Sequence, residues 1–447
     1  MANSLEQIMK RYIITTAQAN AGIHRPFWEG LESYKDKHNA ELIVLPTAGQ
    51  SVNDTDYHPE VVPYLRHDKQ IRISDHVRVI DAQIRPQSIN PLTGVDHFSR
   101  DYESSVIFAG TKQVLKYVPD SNHKLPRAMM TTGAVTKPNY RTKHRIGNIA
   151  EKDHEYGAVI LDVEDNGLFH HRFIQSMKNG KFSDIDGTYH RKRFTAHKQV
   201  DAMVLGDLHP FYTCPTHERA SFEQIALFKP KKLFLHDVFN AVSISHHDEG
   251  RSISKSMAWK EYTGNLLEEL KVTRKAVIKY AEAMPENGKV YIVKSNHDEH
   301  LERYLNEARF VRDPMNTLTA AKLYVQALEG NDPLKAGFDM VGGLPDNVVF
   351  LNRESEVRVR GYVLSNHGDL GANGGRGSIR SIENANGKSI TGHTHGAMKV
   401  RNTYKVGTST KLRLPYTRGY SSWTNTNAVV YTTGQVQLVN TIQGRWR

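Results

Sequence analysis

The sequence predicts an α/β fold, a sandwich of two sheets flanked by helices and preceded by an additional α/β domain. Three observations carry this. Runs of β-branched residues alternate with helical periods in the amino-terminal part of the chain. From Val200 onward, apolar strands recur, several ending in clusters of Asp, His and Asn. The chain is 447 residues long, so two domains, or one with a large addition, is the default. The boundary is placed between residues 1–195 and 196–447.

The first region opens on the β-branched run Tyr12 to Thr16. Pro26 suits the first turn of a helix through Lys37, and Glu41 to Pro46 is a second strand. A β-α-β unit implies parallel strands with a right-handed crossover. Further strands are expected at Val77 to Gln83, Ser105 to Phe108, Ala128 to Val135, Gly157 to Val163 and Leu168 to Ile174. A turn, MKNGKF, and the short basic run Arg191 to Arg193 follow. No chemistry can be named in this region.

The second region begins with the buried strand AMVLGD, a helix from Arg219 to Phe228, and the strand KKLFLHD. An amphipathic helix follows, with Ala258, Tyr262, Leu266, Leu270, Val277 and Ala281 near one face. KVYIVKSNHD is a third strand, and helices near 299–345 read as an insertion. The remainder is β-rich and closes on a hairpin around Gly434.

No run of apolar residues is long enough to span a bilayer, and the amino terminus lacks the layout of a secretory signal, so no membrane role is expected. The single cysteine, Cys214, excludes an internal disulfide framework and fits a reducing compartment, the cytoplasm. The formal net charge is +11, unevenly spread. Between Lys112 and Arg145 lie eight Lys/Arg and one acid, Asp120. After Glu383 there is no acid at all, while Lys388, Lys399, Arg401, Lys405, Lys411, Arg413, Arg418, Arg445 and Arg447 follow. Two readings stay open: a surface for phosphate backbones, or lysine-protected sheet edges.

Five short motifs each end a predicted strand: Gly206-Asp207-Leu208-His209, His236-Asp237-Val238-Phe239-Asn240, Ser295-Asn296-His297-Asp298, Asn366-His367-Gly368-Asp369 and Gly392-His393-Thr394-His395. Strand ends of open α/β sheets collect ligand sites. The i, i+2 pairs Asp207/His209 and His393/His395 point to one side of an extended backbone. Imidazole and carboxylate without thiolate suit divalent metals, with manganese, iron or zinc favoured. Two cations about 3.5–4 Å apart need an anion between them, and Asp237 is the candidate bridge. Each motif alone is weak, since any one His is more often surface or core; the ordered set is specific.

The set resembles the calcineurin-like metallophosphoesterase superfamily, whose pattern is D-x-H, G-D-x-x-[DN], G-N-H-[DE], H, G-H-x-H. The match runs from about Val200 to the carboxyl end. It implies an αββα metallophosphoesterase sandwich and two divalent cations, manganese first, with iron, zinc or magnesium as alternatives. Asp207, His209, Asp237 and His395 would hold one; Asp237, Asn296, His367 and His393 the other. A water between them would be acidified into the attacking nucleophile. His297 would steady the phosphate and protonate the leaving oxygen, with Asp298 orienting it. The sequence departs from the pattern where His236 and Ser295 stand in place of Gly; both are expected to shape turns and alter access without ligating.

Asn-His-Asp and the absence of an Asp-Arg-Gly run disfavour the Ser/Thr phosphatase branch. Asp237-Val238-Phe239-Asn240 and Asn296-His297-Asp298 are closer to the double-strand-break-repair nuclease branch. The opening RYIITTAQANAG and ELIVLP resemble DNases of large tailed phages, which implies oligomer assembly or DNA handling for the added domain and a bacterial host cytoplasm as its location. The expected function is a metal-dependent DNA nuclease. The alternatives are a phosphodiesterase or phosphatase on small nucleotides, and a non-catalytic nucleic-acid-binding protein.

Three lesser features have paired readings. Tyr404, Tyr416, Tyr420 and Trp423 either stack on unpaired bases or belong to the core. GANGGRGS (371–378) either cradles phosphate or is a surface loop. His246, His247 and Asp248 are either a second metal or substrate contact or a plain rim.

Overall fold

The computed structural model describes residues 9–120, 126–245, 253, 264–414, 417 and 419–447. The chain is mixed α/β and divides into two compact units. The first comprises Met1–Lys198, Gly396–Lys405 and Pro415–Arg447; the second Gln199–His395 and Val406–Leu414. Most of the carboxyl-terminal segment thus groups with the first unit, where the sequence reading places all of 196–447 in one domain. For Gly396–Lys405 the reason is strand pairing over a long sequence distance: Met398–Val400 pairs antiparallel with Val114–Val118.

In the first unit, Met9–Gln18 runs parallel to Glu41–Thr47 through the helix Arg25–Lys37. Its other edge pairs antiparallel with Gly157–Glu164, which in turn pairs with Phe169–Gln175. Phe27, Trp28, Leu31 and Tyr34 fill the helix face toward this sheet with Ile13, Val44 and Ile160. A second mixed sheet aligns Val77–Ile80, Ser105–Phe108, Arg127–Thr131 and Val114–Val118, with Val106, Phe108 and Met129 in its core.

In the second unit, Ala202–Val204, Lys232–Leu235, Lys289–Ile292 and Val348–Phe350 form consecutive parallel pairs. Helices Pro215–Phe228 and Leu266–Glu282 make the crossovers. The second of these is capped at its start by Asn265, whose side chain accepts from the Glu268 N–H. Ala258 and Tyr262 lie outside the described residues. Helices Glu299–Asn306, Thr317–Leu328 and Pro333–Met340 stand between the third and fourth strands. Parallel strands put all their carboxyl ends on one edge, which is what collects the motifs there. Nearby, Tyr362–Val363 pairs in parallel with Ser389–Thr391, and these two strands deliver His367, His393 and His395. No helix among the described residues is long and apolar enough to cross a membrane.

Candidate metal centre

All seven ligand candidates belong to the second unit. Asp207 and His209 follow the first parallel strand, Asp237 the second and Asn296 the third. Asp207, His209, Asp237 and His367 are almost wholly buried. A cluster of buried acid and imidazole is costly to assemble in a dry interior unless something holds the groups together.

The distances show which groups meet. His209 Nε2 lies 3.2 Å from His395 Nε2 and 3.3 Å from Asp237 Oδ2. His395 Nε2 is 3.3 Å from Asp207 Oδ2, and His367 Nε2 is 3.4 Å from the same Asp237 oxygen that His209 approaches. The His393 N–H donates to Asp207 Oδ2 at 2.7 Å, and its ring Nδ1 is 3.2 Å from Asn296 Oδ1. The structure therefore brings all seven together, with Asp237 facing a histidine from each of the two expected sets. Asp207, Asp237 and His395 form one group able to hold a cation; Asp207, His236 and His367 form another, and His209, Asp237 and His297 a third.

The buried atoms Asp237 Oδ1 and His367 Nε2 make no hydrogen bond. Such orphans are rare in protein interiors, and here they are donor atoms of the types divalent metals accept. Backbone geometry tells the same story. His209, Asp237, His393 and His395 all adopt left-handed conformations, with φ of 41°, 47°, 74° and 56°. For side chains of this size that costs about 1–2 kcal/mol each, strain that is characteristic of functional sites. Gly392 is required for another reason: a Cβ there would lie 2.0 Å from Asp207 Oδ1.

Electrostatics keep the site in a ligating state. Burial drives His367 and His395 well below the ordinary imidazole value and His236 to about 4, leaving the rings neutral with lone pairs available. Burial opposes charge on Asp237, but His367, His209 and His297 around it hold its carboxyl well below the usual carboxylate range. His209 Nδ1 lies 2.9 Å from Asn240 Oδ1, an acceptor that fixes the proton on Nδ1 and turns the Nε2 lone pair toward Asp237 and His395.

His297 stands against His209, ring centroids 4.7 Å apart. Its expected partner requires correction. The Asp298 carboxylate is directed elsewhere: its Oδ2 accepts the Ser295 N–H at 2.9 Å and its Oδ1 faces the Phe239 N–H at 3.4 Å. Successive side chains entering a helix diverge, so the carboxylate folds back onto the loop. Burial, reinforced by Asp237, pushes Asp298 up to about 7. The group facing His297 Nδ1 is instead the Asn240 carbonyl, at 3.4 Å.

Two positioning groups carried no sequence signal. Arg353, just past the fourth parallel strand, donates to both oxygens of Asp369 at 2.8 Å and to Glu299 at 2.6 Å. It thereby ties the loop after His367 to the helix that follows His297. Glu269 is fully buried and accepts the N–H groups of Val242 and Ser243 at 3.0 and 2.8 Å, bracing the loop that carries Asn240.

The lesser features resolve as follows. Tyr404 is 1% exposed and belongs to the core, whereas Tyr420 is 77% exposed; Tyr416 lies outside the described residues, as do His246, His247 and Asp248. The 371–378 segment is a surface loop whose Gly371 and Gly375 amides donate to its own backbone and whose Gly377 amide donates to the Asp369 carbonyl. The acid-free tail is partly matched by earlier acids: Lys399 lies 3.0 Å from Glu155, Arg401 is 3.7 Å from Asp153, and Arg445 pairs with Glu164. Lys411 and Arg413 are exposed, and the Lys411 N–H donates to the carbonyl of Tyr212, three residues beyond His209.

The chain is 28% identical to Protein A1 of Escherichia phage T5 over 472 aligned residues, which cover 98% of this chain and 83% of that protein. No family model matches the sequence, and no solved structure matches it.

Proposed function

We propose that the second unit is a calcineurin-like metallophosphoesterase with an αββα sandwich, and that the protein is a DNA nuclease. The observation that carries this reading is the convergence of Asp207, His209, Asp237 and His395 with Asn296, His367 and His393, in which one carboxylate oxygen of Asp237 is approached by both His209 and His367. The donor set fits two divalent cations, manganese first. Asp207, His209, Asp237 and His395 would hold one; Asp237, Asn296, His367 and His393 the other. Bound there, the cations would supply Lewis acidity toward a phosphoryl oxygen and toward water.

The chain's own groups do the rest. Asp237 provides the negative charge that two adjacent cations require. His297 moves a proton at Nε2, because a carbonyl can only accept and the Asn240 carbonyl commits Nδ1 to an N–H. Nε2 of the neutral ring then carries the lone pair, and once it takes up a proton there the imidazolium gives that proton to the leaving oxygen. Lys411 and Arg413, exposed on the segment hydrogen-bonded to the Asp207 and Tyr212 carbonyls, offer positive charge to a phosphate backbone without reading sequence. The similarity to a phage protein supports the bacterial host cytoplasm as the place of action.

Salt separates the substrate classes. DNA hydrolysis should weaken steeply between roughly 50 and 200 mM salt, because phosphate contacts release counterions. Hydrolysis of bis-p-nitrophenyl phosphate should change little. Turnover of the small diester or of mononucleotides with DNA left intact would end the nuclease reading and retain the phosphoesterase.

A further inference from the structure

His236 stands where the sequence pattern has glycine, and its ring is neither exposed nor turned away from the site. It is fully buried, with Nδ1 3.3 Å from Nδ1 of His367 and ring centroids 5.4 Å apart. The other nitrogen of His367, Nε2, makes no hydrogen bond and lies 3.4 Å from Asp237 Oδ2. Neighbouring residues therefore reach the two nitrogens of one imidazole from opposite sides. In a regular strand the side chains of 236 and 237 would point apart. The left-handed backbone at Asp237, φ 47°, is what lets both approach His367.

This contact decides a tautomer. Two imidazole nitrogens at hydrogen-bond distance share one proton, and it belongs to either ring. If His236 donates, His367 is left with its proton on Nε2, facing Asp237, and has no lone pair to offer there. If His367 donates from Nδ1, its Nε2 lone pair faces Asp237 and the cation position. A ligating histidine commonly gives its second N–H to a carboxylate or carbonyl, and that partner fixes the ring and raises its basicity. Here, among the described residues, the hydrogen-bonding partner of His367 Nδ1 is an imidazole.

We infer that His236 is a positioning residue: it accepts the Nδ1–H of His367 and so holds the tautomer in which His367 ligates through Nε2. The inference rests on the two-cation reading of the site. It assigns His236 a role by acceptance at Nδ1 and not by the shape of the turn.

The test compares Mn2+ binding to the full-length protein by calorimetry and elemental analysis, with the paramagnetic resonance signal of a coupled manganese pair as a second readout. His236→Phe fills the space without an acceptor; His236→Asn places an amide oxygen near the position of Nδ1. The expected result is two Mn2+ per wild-type chain. In His236→Phe the second equivalent should weaken by about 10- to 100-fold with loss of the coupled signal. His236→Asn should restore both. Two tightly bound equivalents and an intact coupled signal in His236→Phe would overturn the inference. So would an Asn variant as impaired as the Phe variant, since acceptance would then not be what matters. A wild-type chain that binds no Mn2+ would instead remove the metal-centre reading beneath it.

Discussion

The Nε2 atoms of His209 and His395 face each other at 3.2 Å, on side chains brought together from 186 residues apart. Both residues sit in left-handed backbone, and both approach carboxylates that are themselves buried. Lone pairs converging in this way repel each other unless a proton or a cation lies between them. Chelation should therefore lower the melting temperature, and added Mn2+ should restore it. At a free concentration 100-fold above Kd, one bound cation stabilises by about 2.7 kcal/mol. Scanning fluorimetry with EDTA and then MnCl2 reads this directly, and a melting temperature indifferent to both would count against any tight site.

Gly392 leaves room for the Asp207 carboxylate, which a Cβ would meet at 2.0 Å. Gly392→Ala should displace Asp207 and the His393 N–H that donates to it. The expected cost is about 1–3 kcal/mol, with weakened cation binding and unchanged far-ultraviolet circular dichroism. Wild-type Mn2+ affinity in this variant would show that Asp207 is not a ligand.

Arg353 clamps Asp369 and Glu299, the residues that follow His367 and His297 by two positions each. Arg353→Lys keeps the charge but loses the planar fork, so it should behave much like Arg353→Ala. Small misplacements of catalytic groups cost up to about 100-fold in rate, and a 10- to 100-fold fall in kcat is expected with little change in melting temperature. Steady-state kinetics on a diester substrate checks both variants, and a Lys variant at wild-type rate would remove the clamp from the account.

Glu269 is raised to about 7 by burial, opposed in part by the Ser243 and Val242 groups that donate to it. The neutral carboxyl is thus the form the fold prefers. The stability this provides is complete below the unfolded pKa near 4.5 and is lost as pH rises to about 7. Glu269→Gln should cancel that slope, so the wild type should lose stability relative to the variant between pH 4.5 and 7. The change is on the order of 3 kcal/mol at most. Parallel denaturant curves for the two proteins across this range would reject the assignment.

The candidate ligands were legible because each motif packs several chemistry-bearing residues into a few positions at a strand end. Arg353 was not: its partners lie 16 and 54 residues away, and a lone arginine after an apolar run has no signature. Glu269 reads as one more polar residue on an amphipathic helix. His236 was visible only as a missing glycine, and the sequence gives no sign that its ring turns inward. The pairing of Asp298 with His297 failed because adjacency in sequence is not adjacency of side chains. The acid-free tail misled in part for a similar reason: the acid facing Lys399 lies 244 residues earlier. Long-range pairing likewise places Gly396–Lys405 in the first unit.

The most direct measurement is DNA degradation by the chelator-stripped protein before and after adding Mn2+, beside Asp237→Asn and His297→Ala. The account expects no cleavage when stripped and rapid cleavage once Mn2+ is restored. It expects almost none from Asp237→Asn, and a rate reduced about 10²- to 10⁴-fold in His297→Ala. Cleavage that persists in excess chelator, or an Asp237→Asn variant as active as wild type, would contradict it.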